Sequence, residues 1–332
     1  MLESLLLAAQ ALAASDIHLS AGVPPLGRVN GTLQALAPEA LGNAPIRAMI
    51  DSVLPESQRC QFAEGAACDF AFGVEGLGRY RANAYRQQRG VGMALRPIPE
   101  TVPTLEAIHA PQILRSLAEQ NHGLVLIVGP TGSGKTTTLA AMVDYINHTA
   151  AKHVLTIEDP VEFVYAPDRA LITQREVGRD TPSFADALKA ALREDPDVIL
   201  LGEMRDLETI RLALTAAETG HLILATLHTA TAAQAVERIV DVFPGPERDL
   251  ARTLLADVLR AVVAQELLPR KDGQGRIAAH EVLVGTPAVR NLIREHKTAQ
   301  LVSAMQTGQQ QGMQTMAQSL EYLKRTGVVN PA

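Results

Sequence analysis

The amino-acid sequence predicts an α/β fold, in which a mostly parallel sheet covered by helices follows a smaller α+β domain. Four short apolar runs, at 124–128, 154–157, 198–201 and 222–225, alternate with helical stretches. Strands that are buried on both faces read as such continuous apolar runs, and alternation with helices is typical of a parallel sheet. The first part of the chain, before residue 97, instead carries short strand-like pieces separated by turn residues.

The first domain is predicted to open with an amphipathic helix that contains Leu5–Ala9. This apolar stretch could mimic the core of a signal peptide, but no Lys or Arg precedes it. The strand-like pieces that follow are 17–19, 27–32, 69–72, the alternating segment 79–85 and its expected hairpin partner 91–96. Together these elements predict a small α+β domain over residues 1–96.

Three prolines, Pro97, Pro99 and Pro103, predict the boundary between the domains. Proline lacks a backbone donor and is disfavoured in helices and central strands, so residues 97–104 are the expected linker. The second domain then covers residues 105–332. Beyond residue 230 it is predicted to be largely helical, including a helix that Thr286 caps with a proline in its first turn.

A complete phosphate-binding loop follows the first apolar run of the second domain. Its spacing, G-x-x-x-x-G-K-[ST], lets consecutive backbone N–H groups converge on an anion, and the helix predicted from Thr136 directs its positive end at the same point. The lysine reaches the β- and γ-phosphates, and the following hydroxyl can ligate Mg²⁺. The sequence therefore predicts ATP and Mg²⁺ as ligands, with these binding residues: Gly129, Pro130, Thr131, Gly132, Ser133, Gly134, Lys135, Thr136 and Thr137.

Acidic and histidine side chains lie at the ends of the next three predicted strands. Glu158 follows the second strand, Glu203 the third, and His221 and His228 bracket the fourth. In open α/β sheets, ligands bind beyond the carboxyl ends of the strands. Each residue alone could be a helix cap or a solvated strand end, but their combination with a phosphate loop predicts hydrolysis as well as binding. Thr136 and Glu203 are the expected metal ligands.

Arginines form the last group of candidate catalytic residues. Arg79 and Arg81 lie on the predicted hairpin of the first domain, and Arg193 precedes the third strand of the second. Phosphoryl transfer commonly needs an arginine from outside the loop, which contributes about 10³–10⁵ in rate. The alternative is that the hairpin arginines simply face water. If they do reach the phosphates, they could do so from an adjacent subunit.

Composition excludes several other classes of protein. The 332 residues carry a net charge of −6, so no overall positive field favours a nucleic acid or an anionic membrane. No apolar run is long enough to cross a bilayer. The two cysteines, Cys60 and Cys68, form neither a C-x-x-C pair nor a disulfide framework, and are interpreted as buried or idle thiols in a reducing cytoplasm.

Five segments resemble the motifs of one known family over essentially the whole chain. Residues 14–22 resemble its N-terminal signature, 156–162 its Asp box, 194–206 its Walker B region, 220–229 its His box, and 288–295 its AIRNLI-type retraction motif. On these residues the chain resembles the type IV pilus retraction ATPases of the PilT family, within the secretion ATPase superfamily. It departs from the family pattern at Val289, where isoleucine is usual, and at Gly178, where histidine is usual.

The resemblance implies a PAS-like N-terminal domain, a RecA-like ATPase domain and a homohexameric ring in the cytoplasm. ATP binding between the domains would drive their rotation and withdraw pilin subunits into the inner membrane, together with an inner-membrane pilus platform protein. It also implies that Glu203 polarises water or holds Mg²⁺ and that Glu158 is the general base. His221 and His228 would couple the nucleotide state to conformation.

Three other functions remain possible on the sequence. An extension or secretion ATPase of the same superfamily would typically carry a four-cysteine zinc module and further N-terminal domains. An accessory or regulatory paralogue would bind ATP but need a related catalytic ATPase as its partner. A nucleic-acid motor would show a basic strip with interleaved aromatics, whereas this chain has no Trp and few aromatic residues, so no nucleic-acid partner is expected.

Overall fold

The computed structural model describes residues 1–273 and 275–330, and within these ranges the chain forms two compact units. The first unit contains Met1–Thr101 together with two short segments from later in the chain, Asp159–Val164 and Glu176–Pro182. The second unit contains the remaining described residues from Val102 onward. The two inserted segments lie outside the continuous range 1–96 that the sequence predicts for the first domain. The predicted α/β class is confirmed.

The first unit is built on a six-stranded sheet with the strand order β3-β2-β1-β6-β5-β4. Every pairing between neighbours in this sheet is antiparallel. The elements of this unit are α1 (Leu2–Ala11), β1 (Asp16–Ser20), β2 (Leu26–Val29), β3 (Thr32–Ala35), α2 (Asn43–Val53), α3 (Glu56–Ala63), β4 (Cys68–Val74), β5 (Gly78–Gln87) and β6 (Gly90–Ile98).

One face of this sheet forms the core of the first unit. Ile17 and Leu19 alternate along β1, and Met93 and Leu95 alternate along β6, with all four side chains almost completely buried. The amphipathic first helix is confirmed, because α1 buries Leu2, Leu5, Leu6 and Ala9 in the same core. The predicted hairpin is also confirmed, since β5 and β6 pair from Arg79 and Ile98 to Gln87 and Gly90.

Two details of the first unit differ from the prediction. The segment 27–32 is not one strand, because Asn30 and Gly31 both adopt positive φ and turn the chain from β2 into β3. Pro97 lies inside β6 rather than in a linker. The strand tolerates it because β1 pairs with β6 only as far as Leu95, so this side of β6 is open where the proline lacks its N–H group.

The second unit is built on a seven-stranded sheet with the order β13-β12-β7-β11-β10-β8-β9. Within residues 1–273 and 275–330, no helix is both long and apolar enough to cross a membrane. The elements of this unit are α4 (Ile113–Ala118), β7 (Gly123–Val128), α5 (Lys135–Thr149), β8 (His153–Glu158), β9 (Leu171–Glu176), α6 (Phe184–Ala191), β10 (Val198–Leu201), α7 (Leu207–Glu218), β11 (Leu222–Leu227), α8 (Ala232–Asp241), α9 (Arg248–Val258), β12 (Leu259–Pro269), β13 (Arg276–Val284), α10 (Pro287–Arg294), α11 (Leu301–Thr307) and α12 (Met316–Arg325).

The centre of this sheet is parallel, which brings the ends of four strands to one edge. β7 pairs with β11, β11 with β10, and β10 with β8, all in parallel register. The residues of β7 and β11 are all buried, as are those of β10. The four apolar runs of the sequence are therefore confirmed as strands, and whatever follows each of them lies at the same carboxyl edge.

The prediction of a largely helical region beyond residue 230 is wrong for residues 259–284. This region contains the long strands β12 and β13, which form an antiparallel pair, and β12 also pairs in parallel with β7. The helix after Thr286 is confirmed, because α10 begins at Pro287 and the Thr286 hydroxyl accepts from Val289 N at 3.3 Å. Gln309–Gln311 forms a 3₁₀ helix.

Candidate active site

The phosphate loop connects the end of β7 to the start of α5. Glycine is required at two positions in it. Gly129 has a φ of +151°, and a Cβ there would lie 2.4 Å from the carbonyl oxygen of Gln265. Gly134 has a φ of +89° and is the N-cap of α5. Because side chains are absent at these points, the backbone before α5 can curve closely around an anion.

Lys135, the first residue of α5, is folded back over the loop. Its Nζ donates to the carbonyl oxygens of Gly129 at 2.8 Å and of Pro130 at 3.0 Å. Only 8% of the residue is exposed, and burial lowers the pKa of Lys135, while the nearby charge of Glu203 acts in the opposite direction. The lysine therefore holds a positive charge inside the loop and close to a carboxylate from the third strand end.

Gln265, on β12, supports the loop through a hydrogen bond to Ser133. The sequence analysis did not identify this residue. Its Nε2 donates to the carbonyl oxygen of Ser133 at 2.6 Å, and its Oε1 accepts from the Thr138 hydroxyl at 2.8 Å. The side chain is buried and joins the loop to the first turn of α5. A glutamine within the apolar stretch of β12 is the signal that could have found it, because a buried amide must find partners.

Glu203 follows β10 and is surrounded by positive or protonatable groups. Its carboxylate lies 2.6 Å from Nη2 of Arg205 and 3.4 Å from Nε2 of His228, which follows β11. The Glu203 side chain is only 12% exposed, whereas those of Arg205 and His228 are 72% and 48% exposed. The structure thus brings Lys135, Glu203 and His228 together at the carboxyl edge, as the sequence predicts.

Glu158, the last residue of β8, lies at the same edge in a more enclosed environment. Its Oε1 accepts from the Thr156 hydroxyl at 2.7 Å and from Gln174 Nε2 at 3.5 Å. Gln174 also accepts from the backbone N of Tyr165 at 3.1 Å. Burial, followed by the charge of Glu158, raises the pKa of Tyr165 well above its ordinary value. A second buried carboxylate therefore accompanies Glu203, and it accepts hydrogen bonds from the side chains of Thr156 and Gln174.

Comparison with known proteins gives a family. Residues 105–329 match the family described as Type II/IV secretion system protein. The chain is 51% identical to the type IV pilus retraction ATPase PilT of Pseudomonas aeruginosa over 96% of its length and 92% of that protein. It is 45% identical to the type IV pilus ATPase PilU of the same organism, over 95% of this chain and 82% of that one.

The chain is also similar to a solved structure. The crystal structure of the pilus retraction motor PilT with bound ADP superposes with a TM-score of 0.89 and 47% identity, covering 97% of this chain and 92% of the other. The chain belongs to the Type II/IV secretion system protein family. Within that family its resemblance to the PilT group, first indicated by five motifs, is confirmed by identity along nearly the whole chain.

Not every predicted site residue of this secretion-family protein lies at the carboxyl edge. His221 precedes β11 and its carbonyl accepts from Gly123 N, the first residue of β7, at 3.0 Å. Its ring contacts the carbonyl of Ala216 at 3.0 Å. Arg193 is exposed and lies between α6 and the start of β10. Both residues are at the amino edge, about 20 Å along the strands from the loop, and their predicted roles stay predictions.

The two hairpin arginines lie in the first unit and contact the inserted segment Asp159–Val164. Arg79 Nη2 donates to the carbonyl oxygen of Val161 at 3.2 Å, and Arg81 Nη1 donates to Glu162 at 3.0 Å. Arg79 is partly enclosed, because its Nε is buried and forms no hydrogen bond with any residue that the structure describes, whereas the Arg81 side chain is 43% exposed. Neither arginine simply faces water, which was the alternative considered from the sequence.

A cavity of about 430 Å³ adjoins the loop within the second unit. Gly134, Thr137 and Thr138 line it on the side of α5, and both apolar side chains such as Leu267 and charged ones such as Arg270 line it elsewhere. Small-molecule sites have volumes of about 300–1,000 Å³ and are mainly apolar, with a few polar groups. The cavity therefore has the size and the position to receive the part of a nucleotide that extends from the phosphates.

Proposed function

We propose that this protein is an ATPase motor that converts ATP hydrolysis into retraction of a type IV pilus. The observation that carries the proposal is the convergence of Lys135, Glu203 and His228 at one edge of a parallel sheet, behind a complete phosphate loop. A relative that is 51% identical to this chain is named as a pilus retraction ATPase. The substrate is ATP, which the loop residues bind through its phosphates.

Binding would proceed by exchange of hydrogen bonds at Lys135. Its ammonium group now donates to two loop carbonyls, and the phosphate oxygens of ATP would take over these donors at the β- and γ-positions. The exposed Thr136 hydroxyl and the Glu203 carboxylate are hard oxygen donors of the kind that Mg²⁺ takes together with substrate phosphates, so they fit that ion. When bound, Mg²⁺ would neutralise charge on the phosphates.

The two carboxylates would divide the remaining work between them. Glu203, close to Lys135, is positioned to polarise the attacking water next to the γ-phosphate. Glu158, held by Thr156 and Gln174, is the proposed general base that accepts the proton of that water. His228 contacts Glu203 at 3.4 Å, so a shift of the carboxylate on loss of the γ-phosphate would be passed to β11.

We further propose a homohexameric ring in which arginines complete the site. Arg81 is held by a partly exposed ion pair with Glu162, and near a surface such a contact contributes about 0–1 kcal/mol, which a more strongly charged partner would outweigh. Arg79 and Arg81 would then stabilise the transition state of a neighbouring subunit, which makes assembly a condition of turnover. The first unit is proposed to be PAS-like, which its six-stranded antiparallel sheet supports, and the second to be RecA-like.

The proposed place of action is the cytoplasmic side of the inner membrane, where the ring would dock on a pilus platform protein. A direct test measures ATP hydrolysis and molecular mass in the same purified samples. We expect hexamers that hydrolyse ATP without any added protein. Monomers with full turnover would contradict the arginine proposal, and hexamers that remain inactive under all nucleotide conditions would contradict an autonomous motor.

The second candidate function is an accessory paralogue that binds ATP but needs a catalytic relative. It is favoured by one observation, namely that the chain is also 45% identical to PilU, a second type IV pilus ATPase of an organism that has PilT. Inactive hexamers that hydrolyse ATP only after addition of a related catalytic ATPase would support this function over the first.

The retraction motif on α10 allows motor output to be separated from ATP turnover. The sequence predicts that Arg290, Asn291 and Arg294 are exposed, and the structure corrects this for Arg290, which is half-buried. The Arg290 Nε has no hydrogen-bond partner among the described residues. Burial of Arg260 lowers the pKa of that residue, and the positive charge of Arg290 lowers it further. Arg290 on α10 and Arg260 on β12 therefore lie close enough for their positive charges to act on each other.

We expect Arg290→Ala and Asn291→Ala to abolish pilus retraction while the ATPase rate stays within about twofold of wild type, because neither side chain is near the phosphate loop. Retraction is measured by the spread of surface motility, and turnover by phosphate release from the purified variants. Arg325→Ala, at an exposed position on α12, is the control and should keep both properties. Normal motility of the α10 variants would refute the assignment of this helix.

A further inference from the structure

His280, on β13, has a buried ring nitrogen without a partner. The residue is only 3% exposed, and no described residue forms a hydrogen bond with its Nε2. Its backbone is satisfied, because its N donates to the Ser319 hydroxyl at 3.0 Å and its carbonyl accepts from Gln314 Nε2 at 2.9 Å. Buried polar atoms are nearly always paired, so this nitrogen points to a partner from outside the chain.

The register of the sheet places His280 next to the phosphate loop. β13 pairs with β12 so that His280 lies opposite Gln265, the residue that donates to Ser133 in the loop. Neighbouring strands are about 4.8 Å apart, so the imidazole is one strand away from the support of the loop. His280 is not one of the proposed catalytic residues at the strand ends, and no motif identified in the sequence contains it.

The cavity beside the phosphate loop extends from the loop to His280. The same space of about 430 Å³ is lined by Gly134 and Thr138, where phosphates would lie, and by His280 and Ala278. A second cavity of about 550 Å³ also includes His280 and extends to Ser319 and α12. A nucleotide anchored at Gly134 must extend its sugar and base into an adjoining space, and the first cavity is lined by the loop helix itself.

We propose that His280 binds the nucleoside part of ATP through a hydrogen bond from its ring to a ribose hydroxyl or a base nitrogen. The inference rests on the proposed function and adds a residue that selects a nucleotide over a bare polyphosphate. Phosphate loops recognise phosphate groups, and selection for a nucleoside must come from other side chains. His280 is a binding residue here and takes no part in the chemical step.

The charge state of the ring agrees with this role. Burial lowers the pKa of His280 to about 4, so the imidazole is neutral near pH 7 and offers one donor and one acceptor. The other titratable side chains around the two cavities are Glu106, His109, Arg270, Arg276 and Tyr322. A neutral ring adds no attraction for phosphates, but it fits a hydroxyl or a heterocyclic nitrogen.

The test compares the binding of ATP and of inorganic tripolyphosphate to the full-length protein by titration calorimetry. For His280→Ala we expect the affinity for ATP to fall about tenfold, while the affinity for tripolyphosphate stays unchanged. In hydrolysis assays KM for ATP should rise with little change in kcat, because the lost contact is made equally before and during the reaction. Comparison with 2′-deoxyATP then distinguishes a ribose contact from a base contact.

Two further variants separate recognition from a structural role. His280→Gln keeps a polar group at this position and should recover part of the ATP affinity. Ser319→Ala removes the partner of the His280 backbone without removing the ring, and should bind both ligands as the wild type does. Unchanged ATP affinity in His280→Ala, or equal losses for ATP and tripolyphosphate, would overturn the inference alone. A wild-type protein that binds neither ligand would overturn the proposed function as well.

Discussion

Glu203→Gln is expected to reduce steady-state ATP hydrolysis by about 10²–10⁴-fold while ATP still binds. The amide has nearly the same shape as the carboxylate, but it cannot polarise water or hold a cation as an anion does. In the structure the carboxylate of Glu203 lies within reach of Arg205 and His228, and its charge acts on Lys135. The substitution therefore removes the negative charge that lies among Lys135, Arg205 and His228, and it leaves the residues of the phosphate loop unchanged.

The measurement is phosphate release at saturating ATP, together with ATP affinity by calorimetry on the same preparations. Glu208→Gln is the matched control, because this exposed glutamate on α7 forms an ion pair with Lys189 on α6. It removes the same charge from the same unit, and its turnover should stay within about twofold of wild type. Glu203→Ala should behave as Glu203→Gln does. Full hydrolysis by either Glu203 variant would contradict the assignment of this residue.

The sequence is sufficient to predict the part of this site that depends on local spacing. Glycines at fixed distances before Lys135 can be recognised without knowledge of the fold, because the loop conformation depends on backbone freedom at Gly129 and Gly134. The four apolar runs are also recognisable, since strands buried on both faces have no polar side to interrupt them. Once these strands are parallel, Glu158 and Glu203 must lie at the same edge.

The strands β12 and β13 could not be predicted with the same rule. Nearly every residue from Leu259 to Ala264 is buried, so the segment lacks the alternation that separates a strand from a buried helix. Its neighbour β7 is far away in the chain, and the pairing of Leu259 with Leu124 leaves no local mark in the sequence. The missed strands carry Gln265 and His280, so the error in secondary structure also concealed two residues beside the loop.

The different positions of His221 and His228 have a simple geometric origin. Both histidines flank the same apolar run, and their type alone gave no reason to separate them. His221 precedes β11 and therefore lies at the amino edge, whereas His228 follows it and contacts Glu203. Because parallel strands share a direction, the order of residue and strand along the chain already decides which edge a side chain occupies. Arg193 precedes β10 and for the same reason lies at the amino edge, away from Glu203.

Lys135→Ala is expected to lower the affinity for ATP by about 100-fold or more, because charge-assisted hydrogen bonds to the phosphates are lost. The ammonium group is held inside the loop by the carbonyls of Gly129 and Pro130, and the lysine of a phosphate loop reaches the β- and γ-phosphates. Hydrogen bonds between charged groups are about twice as strong as neutral ones, so alanine loses both attraction and geometry. The variant should also show no hydrolysis and no stabilisation by ATP in thermal unfolding.

A control is needed because Lys135 is itself buried and bonded in the structure. Lys189→Ala removes the same charge from an exposed position on α6 and should bind ATP as the wild type does. Circular dichroism must show that Lys135→Ala is folded as the wild type is, because the buried carbonyl of Gly129 loses its donor in this variant. ATP affinity within a few-fold of wild type in a folded Lys135→Ala protein would mean that the phosphates lie elsewhere. The roles proposed for Glu203, Glu158 and His280 all depend on the position of the phosphates. This single variant therefore tests the assumption that those three proposals share.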